Sequence, residues 1–497
     1  MDDQQGPDVR LRLGPLPGRV QPDPPIGSLR PGEFKWEPCI ILTIPESWTS
    51  GIYLSDLTIE GGIAVAEYPL INKKGYLRQE RTLSTMRMRS RLAWLAPVLL
   101  FGPGAAPPSE RGPERIFPFP IRQTTLENGL TALSVPFDSP GIIAYYTVVR
   151  TGSRNEVEKG LSGFAHFFEH MMFRGTERYP QEKYNDVLKA LGAHSNAFTT
   201  DDWTCYHMTI PASALATAVE IEADRFRHLK YDEPAFQKEA RAVLGEYNKG
   251  ASSPFLILSE TMQDKAYTTH TYKHTTIGFL ADIEDMPNQY AYSRIFFDRW
   301  YRPENCTIVV AGDVDHDRLV ELVREAYGGW ERGKAAVTIP VEPEQTAPRA
   351  ARLTWPSPTL PILYLGYHIP AADPTNPDTA ALGALAQAAF GEASPLYKRL
   401  VLDEQKVVLL AAEAEAKRDP GLFTILARVR KPDDVADVRA QIESALAEAA
   451  KAPIDPGRLG AIKSHLRYAF AGSLDSPDNV ALAVGQSIAT TGRPDAM

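Results

Sequence analysis

Residues 160–173, GLSGFAHFFEHMMF, constrain this chain more than any other stretch, because they set polar groups into a segment that is otherwise apolar. An α-helix turns about 100° per residue, so His170 lies only about 40° round from His166, with Glu169 beside them. Phe164, Phe167, Phe168, Met171 and Met172 require the same helix to pack against a core. Polar groups on a buried helix need partners. A metal ion is the simplest partner that satisfies two imidazoles and a carboxylate together.

Zinc takes neutral imidazole nitrogens and carboxylate oxygens, and a catalytic site uses three protein ligands with a fourth position left for water. His166 and His170 supply two of the three. Glu169 stands where a general base is needed for a water whose pKa the metal lowers to about 7. The order His-x-x-Glu-His inverts the commoner zinc-protease motif. The competing reading, an amphipathic helix with two stray histidines, leaves the apolar surroundings unexplained.

The third ligand has to come from elsewhere in the chain. Residues 234–250, PAFQKEARAVLGEYNKG, predict a helix opened by Pro234, with Phe236, Ala240, Val243, Leu244 and Tyr247 at helical spacing. Glu239 and Glu246 are seven apart, so they share a face while standing about 10 Å apart along the axis. Only one can bind an ion held by the histidines, and the other can support it from behind. Spacing alone does not choose between them.

The segment GLSGFAHFFEHMMFRGTERYP, followed 76 positions after His170 by Glu246, resembles the pitrilysin/insulinase-type (M16) zinc peptidases, and in particular bacterial processing-peptidase-like members. LENGLTALSV, TGSRNE, LGAHSNAFTTDDWTCY, EARAVLGEYN and YRPENCTIVVAGDV resemble that family's framework segments in the same order. The resemblance implies one Zn2+ per chain held by His166, His170 and Glu246, with Glu169 as base and Glu239 as a supporting carboxylate. It also implies that Asn196, Ala197 and Phe198 form an edge strand pairing with a peptide substrate. The implied activity is that of a metalloendopeptidase, and the implied fold is a pair of homologous α/β-sandwich domains. The alternative is a non-catalytic subunit of the same fold that binds peptides or a partner.

The remainder of the chain fits an α+β protein of several units. Residues 1–33 are rich in Pro, Gly, Asp and Arg without apolar periodicity and read as disordered, and 34–75 as a small β unit. Residues 86–106 have the three parts of a secretory signal: Arg87, Arg89 and Arg91, then ten apolar residues from Leu92 to Phe101, then Gly104 and Ala106. The run is too short to span a bilayer. A signal works at an amino terminus, so translation starting at Met86 or Met88 implies a periplasmic or secreted protein and an extension of doubtful origin at 1–85. A net charge of −9 without basic clusters argues against a nucleic-acid partner. Cys39, Cys205 and Cys306 have no metal-ligand spacing.

The catalytic domain is expected at 116–332. Its strands are predicted at 121–135, 142–150, 194–200, 203–210 and 306–311, and its helices around the motif and at 180–191, 212–230, 234–250, 256–266, 286–300 and 315–329. A Pro-, Glu- and Ala-rich linker at 333–351 leads to a second domain, 352–497. There strands are predicted at 353–355, 362–368, 406–414 and 421–430, and helices at 377–389, 394–403, 433–451 and 455–470. This repeats the first order without metal residues, and on the resemblance it stops about fifty residues short. Family members active alone carry an Arg and a Tyr seven apart here, where this chain has Val401 and Val408. Neither valine can donate a hydrogen bond. The implied partner is therefore a homologous subunit supplying that Arg and Tyr. His270 and His274 are also four apart, but threonines at 268, 269, 271, 275 and 276 disfavour a helix that would bring them together.

Overall fold

A computed structural model of the protein describes residues 116–333 and 337–496. The expectations for 1–85 and 86–106 lie outside these residues. The first half builds a six-stranded sheet from β1 (Arg122–Thr125), β2 (Thr131–Pro136), β3 (Ile142–Val149), β4 (His194–Thr199), β5 (Thr204–Pro211) and β6 (Cys306–Gly312), in the order β1-β2-β6-β3-β5-β4. β2 and β6 run parallel, and the other neighbours pair antiparallel. All seven residues of β6 are buried. Its uninterrupted apolar run is what a strand covered on both faces requires.

One face of the sheet carries α1 (Phe164–Met171), α2 (Gln181–Leu191), α3 (Leu215–His228), α4 (Glu233–Gly250), α6 (Leu280–Asp285), α7 (Tyr290–Trp300) and α8 (His316–Tyr327), while α5 (Pro254–Ala266) packs towards the second half through Ala266 and Met262. Phe164, Phe167, Phe168 and Met171 of α1 meet Phe236, Ala240 and Val243 of α4 in the main core. The two helices that bear the polar motif residues are therefore locked together by their apolar sides.

The second half contains a three-stranded sheet, β7-β9-β8, from β7 (Ile362–His368), β8 (Val407–Ala414) and β9 (Leu422–Val429). Its helices are α9 (Pro377–Phe390), α10 (Pro395–Tyr397, continued by a π turn over Lys398–Asp403), α11 (Val435–Ala449), α12 (Pro456–Ser473) and α13 (Pro477–Thr491). α13 does not cover this sheet. It packs on the outer face of the first one, where Val480, Ala481, Val484 and Ile488 meet Leu133, Val135, Ala144, Tyr146 and Val148. Each fully buried Val or Ile contributes about 1.5–3 kcal/mol. At Gly485 an added Cβ would come within 3.2 Å of Val148 Cγ2, so the glycine permits the close approach.

The α+β class and the repetition of β3-β5-β4 as β7-β9-β8 agree with the sequence reading, and several details differ. The predicted strand 121–135 is two strands, turned back at Asn128-Gly129 with Gly129 at φ +91°. Residues 353–355 are not a strand. In the first sheet the corresponding β2 is held by β1 and β6, and among the described residues no counterpart of β6 exists to pair with it. The predicted helix 286–300 is a 3-10 turn, Met286–Asn288, separated from α7 at Gln289, whose backbone (φ −103°, ψ 30°) leaves the helical conformation. Residues 337–361 are irregular, yet not loose. Glu342 accepts the backbone amides of Thr268, Thr269 and His270 at 2.7–3.0 Å, and Arg349 caps the carbonyls of Lys265 and Ala266.

Candidate metal centre

The short helix α1 is placed from its amino end. Its cap residue, Gly163, has φ +91°, and a Cβ there would lie 2.6 Å from the Ile277 carbonyl, so only glycine fits. The backbone N–H groups of Gly163 and Ala165 both donate to the buried carboxyl of Glu156, each at 2.7 Å. Burial pushes Glu156 up to about 8, against the pull of these two N–H groups. Glu156→Ala would leave two buried amides without acceptors at about 1–3 kcal/mol each. The expected result is a lower urea midpoint together with weaker zinc retention. An unchanged midpoint would show that the cap does not seat this helix.

At the other end, His166 and His170 turn their Nε2 atoms towards each other, 3.3 Å apart. Glu246 of α4 sends Oε2 to 3.4 Å from each. His170 Nδ1 lies 3.0 Å from Glu239 Oε1. That carboxylate can only accept, so Nδ1 carries the proton, and in the neutral ring Nε2 presents a lone pair. A ring nitrogen of His166, a ring nitrogen of His170 and a carboxylate oxygen thus converge with nothing to donate between His170 and Glu246. A cation resolves the conflict. A tetrahedral ion with bonds of about 2.0–2.1 Å separates its ligands by roughly 3.3–3.4 Å, the spacing found here. Among the described residues these three form the one cluster of His, Cys, Asp and Glu able to hold a metal ion.

Glu239 faces Nδ1 of His170 rather than the Nε2 atoms that converge with Glu246. Its side chain is only 6% exposed, and its second oxygen is paired with the Arg174 guanidinium, which also donates to Gln181. Burial would raise Glu239, but His170 and Arg174 hold it below the ordinary carboxylate range. The hydrogen bond that His170 donates to Glu239 in turn raises the basicity of His170 against the opposing effect of burial. Glu246, half exposed, is lowered chiefly by His166.

Glu169, His170, Phe173, Arg174, Gln181 and Glu239 line a cleft of about 290 Å³. Glu169 Oε2 accepts a hydrogen bond from Thr199 Oγ1 at 2.7 Å. Thr199 ends β4, which among the described residues pairs with β5 alone and so leaves one backbone edge open. Asn196 is exposed, Ala197 is buried, and the Phe198 ring packs edge-on against Trp203 at 4.9 Å. The strand is anchored by its side chains.

The insulinase (peptidase family M16) model matches residues 144–278, and the peptidase M16 inactive-domain model matches 292–466. The chain belongs to peptidase family M16. The zinc protease PqqE of Helicobacter pylori is 29% identical over 364 residues, 72% of this chain and 81% of that protein. The probable mitochondrial-processing peptidase subunit beta of Schizosaccharomyces pombe is 26% identical over 385 residues, 74% and 82% of the two chains. The crystal structure of a protease from Helicobacter pylori is similar with a TM-score of 0.70 at 27% identity, covering 75% of this chain and 90% of that one. Pitrilysin shares the fold with a TM-score of 0.61 at 19% identity, over 76% of this chain and 42% of its own.

Other residues considered from the sequence lie apart from this M16 centre. His270 Nε2 donates to Asp419 at 2.9 Å, while His274 Nδ1 faces the Thr275 carbonyl, and the two flank a 3-10 turn rather than one helical face. Burial lowers His274, as expected of a neutral structural histidine. Cys205 and Cys306 are buried free thiols pushed up by burial. Glu156, Arg174 and Thr199 were not singled out from the sequence. Glu156 ends TGSRNE ahead of an apolar helix, a placement that could have marked it as an acidic cap.

Proposed function

We propose that this chain is a zinc-dependent metalloendopeptidase acting on peptides or unfolded protein segments. The reading is supported above all by the convergence of His166, His170 and Glu246, with Glu169 facing the same cleft beside an open sheet edge. Zinc held by these three residues would polarise the scissile carbonyl and acidify the attacking water. Glu169 takes the proton from that water and hands it to the leaving amine. Glu239 fixes the proton of His170 on Nδ1 and so keeps Nε2 available. Residues 196–198 align an extended peptide by adding it as a further strand to β4.

A second reading is favoured by one observation. Val401 packs into the core of the second half and Val408 is 37% exposed, so neither supplies a donor to a substrate carbonyl. We propose that a homologous subunit provides the missing Arg and Tyr. Among the described residues no helix is long and apolar enough to cross a membrane. Metal analysis and a quenched-peptide assay, on the protein alone and mixed with such a subunit, test both. One zinc per chain and turnover that rises on mixing are expected. Zinc-loaded protein that cleaves nothing under either condition would leave the non-catalytic reading.

A further inference from the structure

We infer that Thr199 is a positioning residue that aims the Glu169 carboxylate, an inference that rests on the peptidase reading. The order of protons in the hydrogen-bond chain carries it. Thr204 Oγ1 has a single proton and gives it to the Thr151 carbonyl at 2.9 Å. It stands 3.4 Å from Thr199 Oγ1, too long to compete. The Thr199 proton is thereby left for Glu169 Oε2, at 2.7 Å. A hydroxyl donating to one carboxylate oxygen fixes the plane of the group and leaves the other oxygen to face the cleft that Glu169 lines.

The position in the chain gives the contact a second consequence. Thr199 pairs with Thr204 at the end of the very strand whose free edge would take up the peptide. A β-branched side chain on a strand has little freedom at χ1, so the hydroxyl is held where the backbone puts it. The orientation of the base is thus tied to the backbone that sets the height of the substrate. Glu169 sits on α1 and the peptide on β4, and Thr199 is the side chain that bridges the two.

Thr199→Val removes the hydroxyl and keeps the shape. With zinc content unchanged, kcat should fall by about 10–100-fold while KM stays within about twofold, because the lost contact serves the reacting geometry rather than peptide binding. Thr199→Ser restores the hydroxyl and should recover most of that loss. A crystal structure of Thr199→Val should show the Glu169 carboxylate rotated away from its wild-type position, a readout independent of turnover. If wild type cleaves peptide and Thr199→Val matches its kcat, the positioning role is wrong and the peptidase reading stands. If wild type is inert both alone and mixed with the homologous subunit while Glu169 swings out in Thr199→Val, the peptidase reading is wrong and the placement of Glu169 by Thr199 stands. Glu169 unmoved in Thr199→Val overturns the inference outright.

Discussion

Glu169→Gln will bind one zinc per chain and lose turnover by about 10²–10⁴-fold. The amide has the size of the carboxylate and its oxygen can still accept the Thr199 hydroxyl, so neither the strand nor the helix has reason to move. What it cannot do is take a proton from water. Its oxygens are not among the three atoms that converge on the metal position, so zinc content should stay at the wild-type level. The measurement is paired: metal analysis on the purified variant and peptide hydrolysis at saturating substrate. Turnover within tenfold of wild type would assign the base elsewhere, and loss of zinc would make Glu169 a ligand.

Which parts of this site were legible in the sequence follows from the distance over which each is determined. The His166-Glu169-His170 face is local, fixed by helical geometry, and the apolar neighbours that force it against a core are in the same fourteen residues. Strand β4 and helix α4 were legible for the same reason. The choice between Glu239 and Glu246 was not, because it depends on where α4 crosses α1 and on Arg174, which takes up the second oxygen of Glu239. Resemblance to the family supplied that choice. The periodicity of α13 is present in Val480, Val484 and Ile488, but nothing in those residues says that they cover the sheet of the first half. The split at Asn128-Gly129 is legible, since that pair is a strong turn signal between apolar runs. The strand expected at 353–355 fails for the opposite reason: its pattern is adequate, and its pairing partner is what the described structure lacks.

The same division between direct and supporting carboxylates predicts an order of metal affinities. Glu246→Ala deletes one of three converging donors and should weaken zinc binding by more than 100-fold, leaving the protein metal-free after dialysis. Glu239→Gln leaves all three donors in place and should weaken it by about 10–100-fold, the range for removal of a group that orients a ligand. Stability of the zinc-free proteins should run the other way. Glu246 is half exposed, so its loss should change unfolding by no more than about 0.5 kcal/mol. Glu239 is buried between His170 and the partly exposed Arg174, and its neutralisation leaves the guanidinium without a counter-charge, at a cost of about 1–3 kcal/mol. Competition with a chelator measures the first order and urea unfolding of the apo proteins the second. The two rankings must be opposite if Glu246 binds and Glu239 supports. Were Glu239→Gln to cost more zinc affinity than Glu246→Ala, the ion would have to sit on the Nδ1 side of His170, where Arg174 now stands, and the arrangement of lone pairs at Nε2 would need another explanation.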